Sequence, residues 1–296
     1  MSRLDFMQLR APAKINLSFR ILGRRDDGFH EVETLMAPVS LHDEVSIETV
    51  SGDGVVFECD DETLPVGDDN LAVRAARLFR AHTKRNTGLR IALRKRIPHG
   101  AGLGGGSSDA ATVLLGLNQV FDAELSDQEL ADIGAEIGSD VPFFVFRSAA
   151  MCRGRGELVE QSAMPARLAL LLLKPAFGVP TPWAYSRWKD SRELPGVRYD
   201  EQRFGGFRFV NDLERPVFEK HLFLARTKMW LLEQPEVGAA LLSGSGSTVF
   251  AVLRDAANAA TLSARAKAEI DPELWTSACE TVIPSEVEGP RGNTQR

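Results

Sequence analysis

Short runs of alternating apolar and polar residues mark the strands of this chain. Val45, Ile47 and Thr49 alternate with charged or polar neighbours, as do Val55, Phe57 and Cys59, so each run predicts a half-buried strand. Ser51-Gly52-Asp53-Gly54 between them predicts a hairpin turn. From Asn70 to His82, Leu71, Ala75 and Leu78 recur at helical spacing, with Arg74, Arg77 and Arg80 as the solvated side. Leu89, Ile91 and Leu93 predict a further strand ending before Pro98. A glycine-rich turn follows, and Ser107-Ser108-Asp109 ahead of the apolar run 110–117 predicts a helix start. Ser126 with Glu129 three residues later forms a capping box for another helix that stops near Gly138. Residues 168–173 read as a strand buried on both faces, and 247–253 as another. Residues 186–208 are charged and carry Pro195, Gly196, Gly205 and Gly206, which predicts a surface excursion. The polar tail 284–296 predicts disorder. Strands and helices intermix without repeats, an α+β pattern with a boundary near 155–165.

Composition narrows the class. The 296 residues are 44% hydrophobic and 26% charged, ordinary globular usage, and at about 150 residues per domain the length predicts two domains or one large one. A chain of this size folds without disulfide or metal staples, which excludes a disordered, collagen-like or cysteine-stapled protein. Thirty-five basic against 41 acidic residues give a net charge of −6. That balance argues against non-specific nucleic-acid or membrane binding and still permits a local basic pocket for a small anion. Cys59, Cys152 and Cys279 are far apart and form no CxxC pair, the usage of a reduced, cytoplasmic protein. Arg3, Asp5 and Arg10 leave no room for a signal-peptide core, and the apolar run 168–173 is too short to cross a bilayer.

The candidate chemistry lies in Pro98-His99-Gly100-Ala101-Gly102-Leu103-Gly104-Gly105-Gly106-Ser107-Ser108-Asp109. Glycines let the backbone curl so that several N–H groups point at one ligand. A helix starting directly behind them adds free N–H groups and a partial positive charge. Strand, glycine loop and helix therefore predict a phosphate cradle, with Ser107 and Ser108 adding hydroxyls. Gly100, Gly102 and Gly105 also satisfy G-x-G-x-x-G, but the preceding strand is charged and alternating, unlike the buried strand of a dinucleotide fold. No GK[ST] follows, so this is not a Walker A loop.

Three blocks resemble the GHMP kinase superfamily of small-molecule kinases: Pro12-Ala13-Lys14-Ile15-Asn16-Leu17, the loop from Pro98 to Ser108, and Ser243-Gly244-Ser245-Gly246-Ser247. Further blocks resemble one family within it, the 4-diphosphocytidyl-2-C-methyl-D-erythritol kinases. These are Gly23-Arg24-Arg25-Asp26-Asp27-Gly28-Phe29-His30, Gly138-Ser139-Asp140-Val141-Pro142-Phe143-Phe144 and Pro180-Thr181-Pro182. The resemblance implies a two-domain α+β fold. Residues 1–160 would form a domain like ribosomal protein S5 domain 2, carrying the ATP-phosphate loop, and 161–283 a ferredoxin-like domain. It also implies phosphorylation by ATP, with Mg²⁺, of the 2-hydroxyl of a cytidine diphosphate-linked methylerythritol, in a non-mevalonate route to isoprenoid precursors. No nucleic acid, membrane or obligate protein partner is implied.

The resemblance assigns roles residue by residue. Asp140, in a strained-looking turn after a helix end, would take the proton of the substrate alcohol, and Lys14 would hold Asp140 ionised and offset charge on the transferring group. On pattern alone Asp140 reads as a helix-terminal turn residue and Lys14 as a surface charge in a strand. Pro98, Gly100, Gly102, Leu103, Gly104, Gly105, Gly106, Ser107 and Ser108 would cradle ATP phosphates, with Asn70 and Lys95 lining the adenosine pocket; Asn70 is also an ordinary N-cap type. Asn16, Phe29, His30, Thr181, Tyr185, Gly244, Ser245 and Gly246 would join Asp140 around the other substrate, Phe29 and Tyr185 stacking on cytosine and His30 reading its polar edge. The family pattern has tyrosine before the histidine and phenylalanine later, so here a phenol has changed sides. His30-Glu31 begins an HExxH, but Thr34 replaces the second histidine and no zinc site follows. Lys14, Arg24, Arg25, Lys95 and Arg96 are the candidate basic lining for two anionic substrates. The rival readings are a homoserine- or mevalonate-type kinase, a nucleotide-binding oxidoreductase, and a non-catalytic protein on the same fold.

Overall fold

A computed structural model describes residues 5–164 and 166–282; the tail expected to be disordered, 284–296, lies outside them. The chain begins with an antiparallel pair of unusually long strands, β1 (Phe6–Arg24) and β2 (His30–Val50). Towards its ends β1 alternates buried and exposed residues, as a strand with one covered face must. Between Ala13 and Leu17 the alternation stops and every residue is buried, because a second layer of structure covers the other face there.

Next come β3 (Val55–Cys59), α1 (Leu71–Thr83), β4 (Gly88–Arg94), α2 (Gly105–Val120), α3 (Asp127–Ile137), α4 (Val141–Val145), β5 (Ala150–Gly154) and β6 (Leu158–Gln161). They are followed by β7 (Ala169–Lys174), α5 (Thr181–Arg187), β8 (Gln202–Phe204), β9 (Phe207–Asn211), α6 (Glu214–Lys220), α7 (Leu222–Leu232), β10 (Val237–Leu242), β11 (Val249–Leu253), α8 (Ala259–Glu269) and β12 (Trp275–Glu280). One sheet of eight strands runs β3-β4-β2-β1-β9-β8, with β5 on β2 and β6 on β5. A second, of four strands, runs β10-β11-β7-β12.

The hairpin expected at Ser51–Gly54 is not there. β3 lies parallel to β4, and β4 stands between it and β2. The turn steps over the end of β4, taking hydrogen bonds from Gly88 N to Gly52 O (2.7 Å) and from Leu89 N to Gly54 O (2.9 Å). Four residues reach across the two strand spacings, about 10 Å, that this requires. Alternation records which face is buried and is silent about which neighbour completes the ladder, so both strands were legible and their pairing was not.

Three apolar clusters share β1. Met7 and Ala11 belong to a core beneath α1, α2 and α3. Ala13, Ile15 and Leu17 pack between the two sheets with Leu170, Leu172, Phe250 and Val252. Phe19 and Ile21 join the core beneath α5 to α8 with Leu171, Leu173, Val249 and Ala251. β7 thus sends alternate leucines into different cores, as its uninterrupted apolar run predicts. The expected helix starts are also present: Asn70 Oδ1 accepts from Ala72 N at 2.9 Å, and Ser126 and Glu129 form a reciprocal capping box.

Candidate active site

The two-residue period that sends Ala13, Ile15 and Leu17 into the core turns Lys14 and Asn16 to the opposite side of β1. Register shifts between Pro12 and Lys14 and between Asn16 and Ser18 bracket the pair, and such irregularities re-aim side chains. Lys14 is 4% exposed, and a buried ammonium requires polar partners. Its Nζ donates to Asn16 Oδ1 at 2.8 Å and lies 3.7 Å from Asp140 Oδ2. Asn16 Nδ2 in turn donates to Thr34 Oγ1 at 2.8 Å, and Thr34 donates to Ser18 O at 2.7 Å. Asp140 is the N-cap of α4 with φ −86° and ψ −11°, ordinary helical values, so the strained turn expected there is relaxed. Its side chain makes no capping bond and remains free to face the cleft.

The glycine loop connects the segment after β4 to α2. Gly102 (φ +75°) and Gly104 (φ +71°) occupy the left-handed region. A Cβ on Gly102 would lie 2.2 Å from Ser243 O, and one on Gly104 2.8 Å from Phe144 Cζ. The carbonyls of the loop are engaged: Leu103 O accepts from Lys14 N (2.9 Å), Ala101 O from Thr248 N (3.1 Å) and Gly102 O from Ser243 Oγ (3.0 Å). Gly105, Gly106 and Ser107 form the first turn of α2, whose N–H groups have no intrahelical acceptor. Gly104, the N-cap, has no side chain to cap them. The result is a row of unpaired donors at a helix N-terminus, the arrangement that binds phosphate.

Beneath the loop lies a carboxylate–ammonium–carboxylate network. Lys95 Nζ donates to Asp43 Oδ2 at 2.5 Å and Asp109 Oδ2 at 2.6 Å. Asp43 Oδ1 also accepts Arg96 N (2.5 Å) and Ile97 N (2.8 Å). The network ties β2, the residues entering the loop and the first turns of α2 together. Burial raises the Asp109 carboxyl to about 7; the Lys95 ammonium opposes that shift and the Asp43 charge adds to it. Lys95, drawn down by burial, is held up by the two carboxylates by a larger margin. Asp109 Oδ1 and Ser108 Oγ are buried with no hydrogen-bond partner.

The far wall comes from α5 and the turn between β10 and β11. Thr181 and Ser245 hydroxyls meet at 2.8 Å. Asn211 donates through Nδ2 to Leu242 O (2.8 Å) and Gly244 O (2.7 Å) and accepts Leu213 N at Oδ1 (2.9 Å). It fixes the glycine-serine turn. Asp212 accepts from Arg20 Nη1 (3.0 Å) and Ile21 N (2.9 Å). His30 packs on Tyr185 with ring centroids 5.2 Å apart. Burial and then the Arg24 charge lower the His30 pKa, so the imidazole is neutral at pH 7 and offers one donor and one acceptor. Burial, reinforced by Asp140, raises that of Tyr185.

These parts surround one cleft of about 380 Å³. Lys14, Asn16, Asn70, Lys95, Pro98, Gly100, Gly102, Leu103, Gly104, Gly105, Gly106, Ser107, Asp140, Thr181, Tyr185, Gly244 and Ser245 line it. Four of the residues expected to touch ATP or the other substrate do not line it. Ser108 points into the core, Gly246 packs behind the turn on Leu242, and His30, half-buried, packs against Tyr185 next to the lining. Phe29, 51% exposed, lies beneath the Arg155 guanidinium at 5.0 Å from its ring centre. Arg155 and Gly156 line the cleft beside Asp140, unforeseen. The signal for them was a cation between two glycines, Gly154-Arg155-Gly156. Asp43 carried no local signal, and Asp109 was legible only as part of a helix start. Arg24, Arg25 and Arg96 of the expected basic lining stay outside the cleft, Arg25 pairing with Asp27 and Glu31 and Arg96 donating through Nη1 to Lys95 O at 3.4 Å.

Comparisons with known proteins agree with this arrangement. Residues 70–148 match the model of the GHMP kinases N terminal domain, and residues 202–271 that of the GHMP kinases C terminal region. A 4-diphosphocytidyl-2-C-methyl-D-erythritol kinase of Methylacidiphilum infernorum is 43% identical over 283 residues, 93% of this chain and 96% of that protein. One from Syntrophotalea carbinolica is 40% identical over 251 residues, 83% of this chain and 89% of its own. Among solved structures, a 4-(cytidine 5'-diphospho)-2C-methyl-D-erythritol kinase superposes with a TM-score of 0.77 at 35% identity, covering 93% of this chain and 100% of that one.

Proposed function

This chain belongs to the GHMP kinases and, within them, to the 4-diphosphocytidyl-2-C-methyl-D-erythritol kinase family, and we propose that its acceptor is the 2-hydroxyl of that cytidyl-linked polyol. It is an ATP-dependent small-molecule kinase. The observation that carries the proposal is the meeting of three features in one cleft: the unpaired N–H row of α2, the Lys14–Asp140 pair at 3.7 Å, and Tyr185, with His30 packed against it from outside the lining.

The N–H groups of Gly105, Gly106 and Ser107 hold the nucleotide phosphates. Asp140 accepts the proton of the attacking hydroxyl, and Lys14 stabilises negative charge on the oxygen and the transferring group. Asn16 orients Lys14, since it accepts from the Lys14 ammonium and is itself held by Thr34. Tyr185, with His30 packed against it, forms the base-facing wall, and Arg155 supplies positive charge beside Asp140. No cluster of three or more acidic, histidine or cysteine ligands occurs among the described residues. That suits a Mg²⁺ carried on the nucleotide's own oxygens, with the Ser107 hydroxyl and the Asp140 carboxylate as protein donors. When bound, the ion neutralises charge on the β and γ oxygens.

The test is ADP release from MgATP with 4-diphosphocytidyl-2-C-methyl-D-erythritol, homoserine and mevalonate as separate acceptors. Stimulation by the cytidyl substrate alone is expected; stimulation by either of the others and not by it would refute the assignment. Asp140→Asn should remove most turnover while leaving ATP binding nearly intact, and a wild-type rate would exclude Asp140 as the base. His30→Ala should weaken the cytidyl substrate more than ATP; equal weakening would place it elsewhere.

A further inference from the structure

The charged excursion expected over 186–208 is tied down at its start. Trp188, the C-cap of α5, donates its N–H to Tyr185 O at 3.2 Å. Its own carbonyl accepts twice, from Ser191 Oγ at 2.8 Å and from Arg215 Nη2 at 3.0 Å. Arg215 Nε also donates to Ser191 Oγ at 3.1 Å, and Ser191 is 8% exposed. Arg215 follows Glu214, which forms a fully buried ion pair with Lys228 at 2.6 Å, and Lys228 also donates to Arg198 O at 2.6 Å. Both ends of 188–198 are thereby anchored to α6 and α7. The indole held by this arrangement meets the His30 ring edge-to-face, centroids 6.0 Å apart and planes at 85°. Tyr185 meets the same imidazole at 5.2 Å and 34°.

We propose that Trp188, fixed by Arg215 and Ser191, is a positioning residue for His30: together with Tyr185 it grips the imidazole from two directions and sets its orientation toward the pyrimidine base of the acceptor substrate. His30 sits at the first position of β2, where one end of the residue is tethered to a strand and the other to a turn. Among the described residues its side chain has no hydrogen bond to protein that would orient it, so ring contacts do that work. An imidazole that reads a base edge must present a donor and an acceptor in fixed directions, and a freely rotating ring would lose that ordering on every binding event. This inference deepens the functional reading above and rests on it for the identity of the base.

The test measures KM for the cytidyl substrate and for ATP in Trp188→Leu, Trp188→Phe and Arg215→Met, alone and combined with His30→Ala. Loss of one aromatic contact should raise the cytidyl KM about three- to tenfold, with KM for ATP within twofold and partial recovery in Trp188→Phe. In the His30→Ala background the Trp188→Leu change should add less than twofold, because a residue acting through His30 has nothing left to position. Equal increases for both substrates, or an undiminished effect without His30, would overturn the proposal. Should Trp188→Leu fold poorly, Arg215→Met tests the same tether from the α6 side. NMR of the His30 ring in the unliganded protein separates the two readings. A single narrow signal that broadens or splits in Trp188→Leu is expected even if the acceptor has been misassigned, and an unchanged line shape would refute the positioning role whatever the substrate.

Discussion

Replacing Lys95 by methionine keeps the length of the side chain and deletes the ammonium shared by Asp43 and Asp109. Asp43 keeps its two backbone donors, Arg96 N and Ile97 N. Asp109 loses the ammonium at Oδ2 and already lacks a partner at Oδ1. Removing one member of a buried ion pair costs about 3–5 kcal/mol, or roughly 6–20 °C in Tm at about 2–4 °C per kcal/mol. The penalty should also depend on pH. With the Asp109 pKa raised to about 7 by burial, the folded chain binds more protons than the unfolded chain from about pH 4 up to that value. Its contribution to stability is thus present below pH 4 and lost as pH rises through 7. Without Lys95 the folded pKa climbs further, so the loss continues above 7 at up to about 1.4 kcal/mol per unit. Thermal melts of wild type and Lys95→Met at pH 5, 7 and 9 should diverge as pH rises, and adding Asp109→Asn should recover at least half the difference at pH 9. A constant gap across that range, or one below about 2 °C, would refute the description of this network as buried and charged.

Gly102→Ala combines a left-handed backbone with a Cβ 2.2 Å from Ser243 O; left-handed strain and overpacking together cost about 2–5 kcal/mol, and loss of ATP binding in titration calorimetry should accompany the lower Tm. Asn211→Leu strands the Leu242 and Gly244 carbonyls, at about 1–3 kcal/mol each, and should raise the cytidyl KM because Gly244 and Ser245 line the cleft; an unchanged melt would mean the turn is held by other contacts. Ser108→Ala removes a buried hydroxyl that has no partner, so Tm should hold or rise by an amount worth up to about 1–3 kcal/mol. A clear drop in Tm would show that the hydroxyl is bonded.

What the sequence revealed and what it hid divide along the reach of the interactions. Glycine spacing, capping residues and apolar periodicity are local, and they located α1, α2, α3, the glycine loop ahead of α2 and the doubly buried β7. Lys14 and Asp140 were visible only through family resemblance, since 126 positions separate two residues that meet at 3.7 Å. The Asp43–Lys95–Asp109 network and the Arg215–Trp188 tether join segments that no periodicity connects. The same reason underlies the misread turn at Ser51–Gly54, where β4, supplied from later in the chain, takes the place beside β2. Phe29 and Tyr185 are both aromatic as expected, but the neighbours that meet them and His30, Arg155 over Phe29 and Trp188 against His30, were not singled out by the pattern.

The strand that carries Lys14 has a consequence for protein synthesis. Ser18 and Phe19 of β1 pair in parallel with Val210 and Asn211 of β9, and Arg20 closes on Asp212, 192 positions later. At about 5–20 residues per second a ribosome needs roughly 10–40 s to supply that partner. Until then Phe19 and Ile21 have no cover from α5 to α8, although the rest of β1 is already hydrogen-bonded to β2. A nascent chain therefore holds one sheet with an open apolar edge for many seconds, an interval in which a holding chaperone would have most to bind. The wall bearing Ser245 arrives later still, so no polypeptide that stops short of it contains a closed cleft.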